Sequence, residues 1–128
     1  MARILMVDDD ELLLGVVGDY LESRGHDVDR CADPTVAAEL AEKTAPDVAI
    51  LDYEMPRLSG TQLLTELRAG GRTHMLPVLF LSGVNALRYA SQVPPDPRVR
   101  FLRKPVDFND LDGAISALLD PEGWSQNP

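Results

Sequence analysis

The chain has 128 residues, of which 45% are hydrophobic and 26% are charged, and its net charge at pH 7 is −9. These values predict one compact domain with a hydrophobic core, and the apolar runs are far shorter than the ~20 residues of a membrane span. Direct binding of nucleic acid is not expected of so acidic a domain, because that binding depends on neutralising phosphates.

The first part of the chain alternates between short apolar runs and helical patterns. Residues 4–7 predict a strand, and apolar side chains at helical spacing over residues 12–21 predict a helix that Gly25 can cap. Residues 28–32 predict a second strand. Cys31, the only cysteine, lies in this strand and is expected to be buried. An internal disulfide is therefore impossible, and we expect a reduced, cytoplasmic setting without a membrane segment.

The same alternation continues along the rest of the chain. A helix opens at Pro34, a strand follows over residues 48–51, and another helix opens at Gly60. The remaining elements are a strand over residues 78–81, a helix over residues 86–92, a strand over residues 99–102 and a last helix capped by Asp107. We expect residues 1–119 to form the domain and residues 120–128 to form a polar tail or the start of a linker.

Five strand–helix pairs in strict alternation predict an α/β fold, in which a parallel sheet carries helices on both faces and so forms three layers. The apolar runs are continuous, which is typical of parallel strands that are buried on both sides. Ligands of such sheets bind outside the carboxyl ends of the strands, where the strand order reverses. The residues that follow the strands are therefore the candidates for function.

Polar side chains stand where the predicted strands stop. Asp8 and Asp9 follow the first strand, Asp52 the third, Ser82 the fourth, and Lys104 the fifth. With a strand order of 2-1-3-4-5, the first and third strands are neighbours, and their three carboxylates crowd together. Such crowding raises the pKa of carboxyl groups unless a cation compensates. Mg²⁺ prefers oxygen ligands and often shares a site with phosphate, so we expect Mg²⁺ here and no organic cofactor.

Four short motifs occur in order, each after its own strand. They are V-D-D at residues 7–9, D-Y-E-M-P at residues 52–56 with Gly60 following, L-S-G at residues 81–83 and K-P at residues 104–105. With these motifs the chain resembles the CheY-like receiver domains of the two-component response-regulator family. The resemblance covers residues 3–119 and implies a flavodoxin-like fold, with a five-stranded parallel sheet in the order 2-1-3-4-5 and five helices.

The resemblance also implies the chemistry. Asp52 would accept a phosphoryl group, and Asp8 and Asp9 would bind Mg²⁺ together with Asp52 and the backbone carbonyl of Glu54. Carboxylates do act as nucleophiles that form aspartyl phosphate. The donor would be a phosphohistidine of a sensor histidine kinase or a phosphotransfer protein. Such a domain is a signalling switch that catalyses its own phosphorylation and dephosphorylation, and not an enzyme in the ordinary sense.

Two further roles follow from the same resemblance. Ser82 and Lys104 would bind the phosphoryl group, and Ser82 and Phe101 would act as the switch residues. Phe101 lacks the hydroxyl group of the more common tyrosine, so its switching would depend on packing alone. The side chain of Glu54 adds a carboxylate close to the phosphoryl site, with an effect on hydrolysis whose direction the sequence leaves open.

Simpler roles remain for the same residues. Asp8, Asp9 and Asp10 also fit a solvated turn, and Asp10 fits the N-cap of the first helix. Ser82 alone is typical of a turn hydroxyl, and Lys104 alone is typical of a surface residue. The alternative functions are a docking module that works without phosphorylation and a phosphohydrolase of the aspartyl-phosphate type, although no Thr or Val follows Asp8–Asp10 at the offset that such enzymes use.

The output of the domain would be a downstream protein target or a fused output domain. The surface expected to change on phosphorylation is formed by the fourth helix, the fifth strand and the last helix. Charges of both signs lie on it, at Arg88, Arg98, Arg100, Arg103, Asp107, Asp110 and Asp112. Mixed charges are common on any solvated face, but they also suit a homodimer that forms on phosphorylation, which we state as a hypothesis.

Overall fold

A computed structural model of the chain describes residues 1–83 and 96–120. The elements are β1 (Arg3–Val7), α1 (Glu11–Ser23), β2 (Asp27–Cys31), a 3₁₀ helix (Pro34–Val36), α2 (Ala37–Thr44), β3 (Val48–Asp52), α3 (Gly60–Ala69), β4 (Val78–Ser82), β5 (Val99–Arg103) and α4 (Phe108–Leu119). The predicted alternation is confirmed for these residues. The predicted helix over residues 86–92 lies outside them, so four of the five expected helices are described.

The five strands form one parallel sheet in the order β2-β1-β3-β4-β5, which confirms the predicted order. All residues of β3 and β4 are buried, as their continuous apolar runs predict. β1 lies between β2 and β3, and Val7 at its end is paired with Leu51 of β3. The residues after Val7 and Leu51 therefore meet at the carboxyl ends of the strands.

The sheet separates two hydrophobic cores and gives the fold its three layers. On one face, α2 and α3 pack through buried residues such as Ala41 and Leu67. On the other face, α1 and α4 pack through buried residues such as Leu21 and Ile115. Burial of one such leucine or isoleucine stabilises the fold by about 1.5–3 kcal/mol. The two cores hold the strands, and hence the residues at the strand ends, in fixed relative positions.

Local hydrogen bonds set the starts of the helices. The side chain of Asp10 caps α1 by accepting hydrogen bonds from two backbone N–H groups of its first turn, and that of Asp107 caps α4 by accepting one from Asp110 N. Ser59 and Gln62 form a reciprocal capping box at the start of α3. Both predicted aspartate caps are confirmed. None of the helices within residues 1–83 and 96–120 has the length and apolar character needed to cross a bilayer.

Gly60 lets the start of α3 approach the end of β3 closely. A Cβ atom at this position would lie 2.9 Å from Cε1 of Phe80 and 2.9 Å from Cα of Tyr53. The backbone N–H of Gly60 donates a hydrogen bond of 2.9 Å to the carbonyl oxygen of Tyr53. Because Tyr53 directly follows Asp52, this contact holds the loop after β3 against the first turn of α3.

Candidate functional site

The carboxyl ends of β1 and β3 bring two buried carboxylates together. Asp8 directly follows β1 and is 1% exposed, and Asp52 is the last residue of β3 and is 5% exposed. Backbone N–H groups of the following loops hold both side chains. Asp10 N donates to Asp8 Oδ1 at 2.9 Å, and Glu54 N donates to Asp52 Oδ1 at 3.2 Å. The structure thus places both predicted residues at one site.

The three consecutive aspartates after β1 have different positions. One carboxylate oxygen each of Asp8, Asp9 and Asp52 lie within 4.8 Å of one another, and Asp9 is the exposed member of this acidic cluster. The side chain of Asp10 accepts hydrogen bonds from the first turn of α1 instead. The sequence-based distinction between Asp10 as a helix cap and Asp8 and Asp9 as members of the acidic cluster agrees with this geometry.

Lys104 reaches the acidic cluster from the end of β5. Its Nζ atom lies 3.3 Å from Asp8 Oδ2 and 3.3 Å from Asp52 Oδ1. The backbone fixes this approach, because Lys104 N donates a hydrogen bond of 2.8 Å to the carbonyl oxygen of Ser82 at the end of β4. The ammonium group is therefore held between the two buried carboxylates.

Burial and charge shift the pKa values of all three groups. Desolvation by burial and the neighbouring carboxylate of Asp8 raise the pKa of Asp52 to about 6, although Lys104 opposes this shift. Burial also raises the pKa of Asp8. Burial lowers the pKa of Lys104, but the carboxylates of Asp8 and Asp52 outweigh that effect and raise it. Burial therefore disfavours the ionised forms of both carboxyl groups, and the ammonium group of Lys104 offsets this effect only in part.

The donor set of the acidic cluster fits Mg²⁺. Three carboxylates converge within 4.8 Å, and the exposed position of Asp9 leaves one side of the cluster open to water. Mg²⁺ takes oxygen ligands and keeps several waters, so a cluster of this kind, buried on one side and open on the other, suits it. A bound cation would also favour the ionised forms of Asp8 and Asp52, whose pKa values burial raises.

Ser82 is the last residue of β4, which lies on the opposite side of β3 from β1, and it is completely buried. Its hydroxyl group donates a hydrogen bond of 2.9 Å to Glu54 Oε1, and the backbone N–H of Gly83 donates another of 2.9 Å to the same oxygen. The sequence predicts Ser82 at the site, but it predicts neither the Gly83 N–H group there nor the contact made by the Glu54 side chain. No sequence pattern sets the direction of a glutamate side chain in a loop.

Phe101 belongs to a cluster of three aromatic rings beside the site. It is half-buried in β5, with its ring centroid 5.1 Å from that of Phe80 and 5.8 Å from that of Tyr53. The Tyr53 and Phe80 rings meet edge to face at 5.1 Å. Phe101 also lines an open groove between β5 and α4. The predicted switch residue is thus in contact with the residue that directly follows Asp52.

A model of the response regulator receiver domain family matches residues 4–116. RpaA of Synechocystis sp., a DNA-binding dual master transcriptional regulator, is 32% identical over 119 residues, which are 93% of this chain and 49% of RpaA. PilH of Pseudomonas aeruginosa is 31% identical over 119 residues, which are 93% of this chain and 98% of PilH. The chain therefore spans about half the length of one curated relative and nearly all of another.

A solved structure also shows similarity to receiver domains. The receiver domain of a sensor histidine kinase from Pseudomonas aeruginosa PAO1, with a magnesium ion coordinated in its active site cleft, superposes with a TM-score of 0.81. The two chains are 25% identical, and the superposition covers 92% of this chain and 97% of that chain. The family match, the relatives and the shared fold agree, and the chain belongs to the response regulator receiver domain family of two-component signal transduction.

Proposed function

We propose that Asp52 accepts a phosphoryl group from the phosphohistidine of a sensor histidine kinase or a phosphotransfer protein. The observation that carries this proposal is the position of the Asp52 carboxylate. It is 5% exposed at the end of β3, has the ammonium of Lys104 at 3.3 Å, and has the carboxylates of Asp8 and Asp9 beside it. A nucleophile, a cation site and a positive side chain meet there, as phosphoryl transfer requires.

The transfer is a single displacement at phosphorus. An oxygen of the ionised Asp52 carboxylate forms a bond to phosphorus, and the bond between phosphorus and the imidazole nitrogen of the donor breaks. The electron pair of that bond leaves with the imidazole, which takes up a proton. Hydrolysis of the aspartyl phosphate by water then restores the carboxylate and releases inorganic phosphate. One phosphoryl group is bound per chain, so the proposed activity is that of a switch that catalyses its own modification.

Asp8, Asp9 and Asp52, with the backbone carbonyl of Glu54, are the proposed ligands of Mg²⁺. A bound Mg²⁺ supplies positive charge that offsets the charge of the incoming phosphoryl group. Convergence of the three carboxylates within 4.8 Å supports this part of the proposal. The magnesium ion in the related kinase receiver domain is a property of that protein, and it makes the same cation the first one to test here.

Lys104 and Ser82 are the proposed ligands of the phosphoryl oxygens. Lys104 supplies a point charge, and Ser82 supplies a hydroxyl donor at the end of the neighbouring strand. Phe101 is the proposed second switch residue, since its ring contacts Tyr53 and Phe80 within the cluster. A shift of Ser82 towards a phosphoryl group would change the packing around this ring and so alter the surface of β5 and α4.

Incubation with a small acyl-phosphate donor and Mg²⁺ tests the central claim. We expect one acid-stable, base-labile phosphoryl group per chain in the wild type, none in Asp52→Asn, and none after removal of Mg²⁺ by a chelator. Asp47→Asn is a matched control, because Asp47 is an exposed aspartate next to the start of β3. Equal labelling of the wild type and Asp52→Asn would show that Asp52 is not the acceptor.

The proposed domain comprises residues 1–119, with residues 120–128 as a tail or the start of a linker. Its proposed output is a downstream protein or a fused domain, reached through the surface of β5 and α4, with self-association on phosphorylation as one form. Arg98 is engaged by Asp96 at 3.1 Å within the chain, which leaves Arg100 and Arg103 as the described arginines for an intermolecular contact. A beryllofluoride-loaded sample that stays monomeric in sedimentation at low salt would contradict the self-association.

A further inference from the structure

The carboxylate of Glu54 accepts two hydrogen bonds at the carboxyl end of the sheet. Ser82 Oγ and Gly83 N both donate to its Oε1 atom, each at 2.9 Å. Glu54 lies two residues after Asp52, and its backbone N–H donates to Asp52 Oδ1. One residue therefore contacts the proposed phosphoryl acceptor through its backbone and the proposed phosphoryl ligand through its side chain.

The two donors form a position for an anionic oxygen. A hydroxyl group and a backbone N–H converge on one carboxylate oxygen, and hydrogen bonds of this kind to an ionised acceptor are stronger than bonds between neutral groups. Ser82 is completely buried, so the direction of its hydroxyl is set by the surrounding protein. Glu54 Oε1 occupies this position in the structure.

A phosphoryl group on Asp52 would need the same donors. A serine hydroxyl has one proton, so Ser82 cannot donate to Glu54 and to a phosphoryl oxygen through that proton at the same time. The negative charge of the phosphoryl group would also repel the carboxylate of Glu54 at short range. The resting contact and the phosphorylated state therefore exclude each other.

We propose that Glu54 is a positioning residue whose carboxylate occupies the anion-binding position of Ser82 and Gly83 in the resting protein and leaves it when Asp52 is phosphorylated. The inference rests on the proposed function of Asp52 and Ser82. The carboxylate of Glu54 stabilises the resting state, because the hydrogen bonds from Ser82 and Gly83 to it must break before a phosphoryl group can accept them. Loss of this carboxylate shifts the equilibrium towards the phosphorylated arrangement.

Equilibrium binding of beryllofluoride at saturating Mg²⁺ tests the proposal in four proteins: the wild type, Glu54→Gln, Glu54→Ala and Glu66→Ala. We expect Glu54→Ala to bind about tenfold more tightly than the wild type, a difference of about 1.4 kcal/mol. Glu54→Gln should lie between them, because its amide oxygen still accepts the hydrogen bonds but carries no charge. Glu66→Ala removes an exposed carboxylate of α3 and should match the wild type.

A second measurement reports the contact itself. The backbone amide resonance of Gly83 should move upfield in Glu54→Ala, and less in Glu54→Gln, as the hydrogen bond from its N–H is lost or weakened. In the wild type, beryllofluoride should change the same resonance. Binding of Mg²⁺ alone, measured in parallel, separates any effect on the cation from the effect on the anion.

The outcomes separate the two claims. If the wild type does not bind beryllofluoride with Mg²⁺, the proposed function fails, and this inference fails with it. If the wild type binds beryllofluoride and both Glu54 variants bind it with the wild-type affinity, the inference alone is wrong. Weaker binding by both variants would also overturn it, because the carboxylate would then assist the anion. Unchanged Gly83 resonances in Glu54→Ala would rule out the resting contact.

Discussion

The ammonium group of Lys104 lies 3.3 Å from Oδ1 of Asp52, and it lies equally far from Oδ2 of Asp8. This contact joins the end of β5 to the end of β3 across the intervening strand β4. It lowers the pKa of both carboxyl groups, while burial raises them. The positive charge therefore holds together an acidic cluster that would otherwise repel itself, and it would lie close to any phosphoryl group on Asp52.

Lys104→Met should impair phosphorylation without unfolding the domain. Removal of the charge should slow labelling by a small acyl-phosphate donor about 10²-fold, the order found when one donor to a transition state is lost. In the metal-free protein the pKa of Asp52 should rise further above about 6, which a titration of its carboxyl carbon by NMR would measure. Lys43→Met is the matched control, since Lys43 is the only other lysine and is exposed on α2. Wild-type labelling by Lys104→Met would refute this role.

The stability of the metal-free protein should fall as the pH rises from about 4 to about 7. The pKa of Asp52 is raised in the folded state from 3.8 to about 6, so its contribution to stability is present below pH 3.8 and is lost as the pH passes through about 6. The loss is on the order of 3 kcal/mol, at 1.36 kcal/mol for each pH unit of the shift. Urea unfolding of the wild type and Asp52→Asn measures it.

Asp52→Asn lacks this carboxyl group, so its free energy of unfolding should exceed that of the wild type at pH 7 and approach it near pH 4. The difference between the two curves of unfolding free energy against pH isolates Asp52 from other carboxyl groups. One of these is Asp96: burial raises its pKa, but hydrogen bonds and charge from Arg98 and the charge of Arg68 outweigh burial and lower it. Parallel curves for the two proteins would mean that the pKa of Asp52 is not raised.

Mg²⁺ should stabilise the wild type at pH 7 and should do so through Asp8 rather than Asp10. At a concentration of 100 times its Kd, a ligand that binds only the folded state adds about 2.7 kcal/mol to the free energy of unfolding. Asp8→Asn should lose most of this increment. Asp10→Asn should keep it, because asparagine also caps a helix well. Thermal unfolding with and without Mg²⁺ measures the stabilisation in each variant. Equal stabilisation of Asp8→Asn and Asp10→Asn by Mg²⁺ would show that Asp8 is not a ligand.

Gly60→Ala should destabilise the domain. Its Cβ would lie 2.9 Å from both Phe80 Cε1 and Tyr53 Cα, so either a buried ring or the loop after β3 must shift. We expect a loss of about 1–3 kcal/mol in the free energy of unfolding. Gly15→Ala in α1 meets no atom within 4 Å and should stabilise by about 0.5–1 kcal/mol. If Gly60→Ala leaves the free energy of unfolding unchanged, the start of α3 can move to accommodate the added methyl group.

The helices and strands could be predicted from the sequence because periodicity is a local signal, whereas the strand order was implied by the resemblance of the motifs to receiver domains. Continuous apolar runs locate β3 and β4 to within one residue, and Asp10 and Asp107 mark the helix starts that the structure has. The 3₁₀ helix before α2 was not predicted as a separate element. The Ser59–Gln62 capping box was also missed, although the spacing of serine and glutamine is a visible signal for it.

The site could be predicted only as far as strand ends define it. Asp8, Asp52, Ser82 and Lys104 are positioned by backbone that belongs to or directly follows a strand, so a correct strand order brings them together. The carboxylate of Glu54 is different, since its direction depends on a loop side chain and on donors from another strand. Packing of Phe101 against Tyr53 likewise depends on rotamers that no sequence period encodes.

The strands of the sheet differ in burial. All residues of β3 are buried, whereas four residues of β5 are partly exposed and Arg103 is exposed. Amide hydrogens of β3 should therefore exchange with solvent only on global unfolding, and those of β5 through smaller local openings. The proposed phosphorylation would then take place on a fully buried strand, while Phe101 lies on a strand that we expect to open locally at a lower free energy.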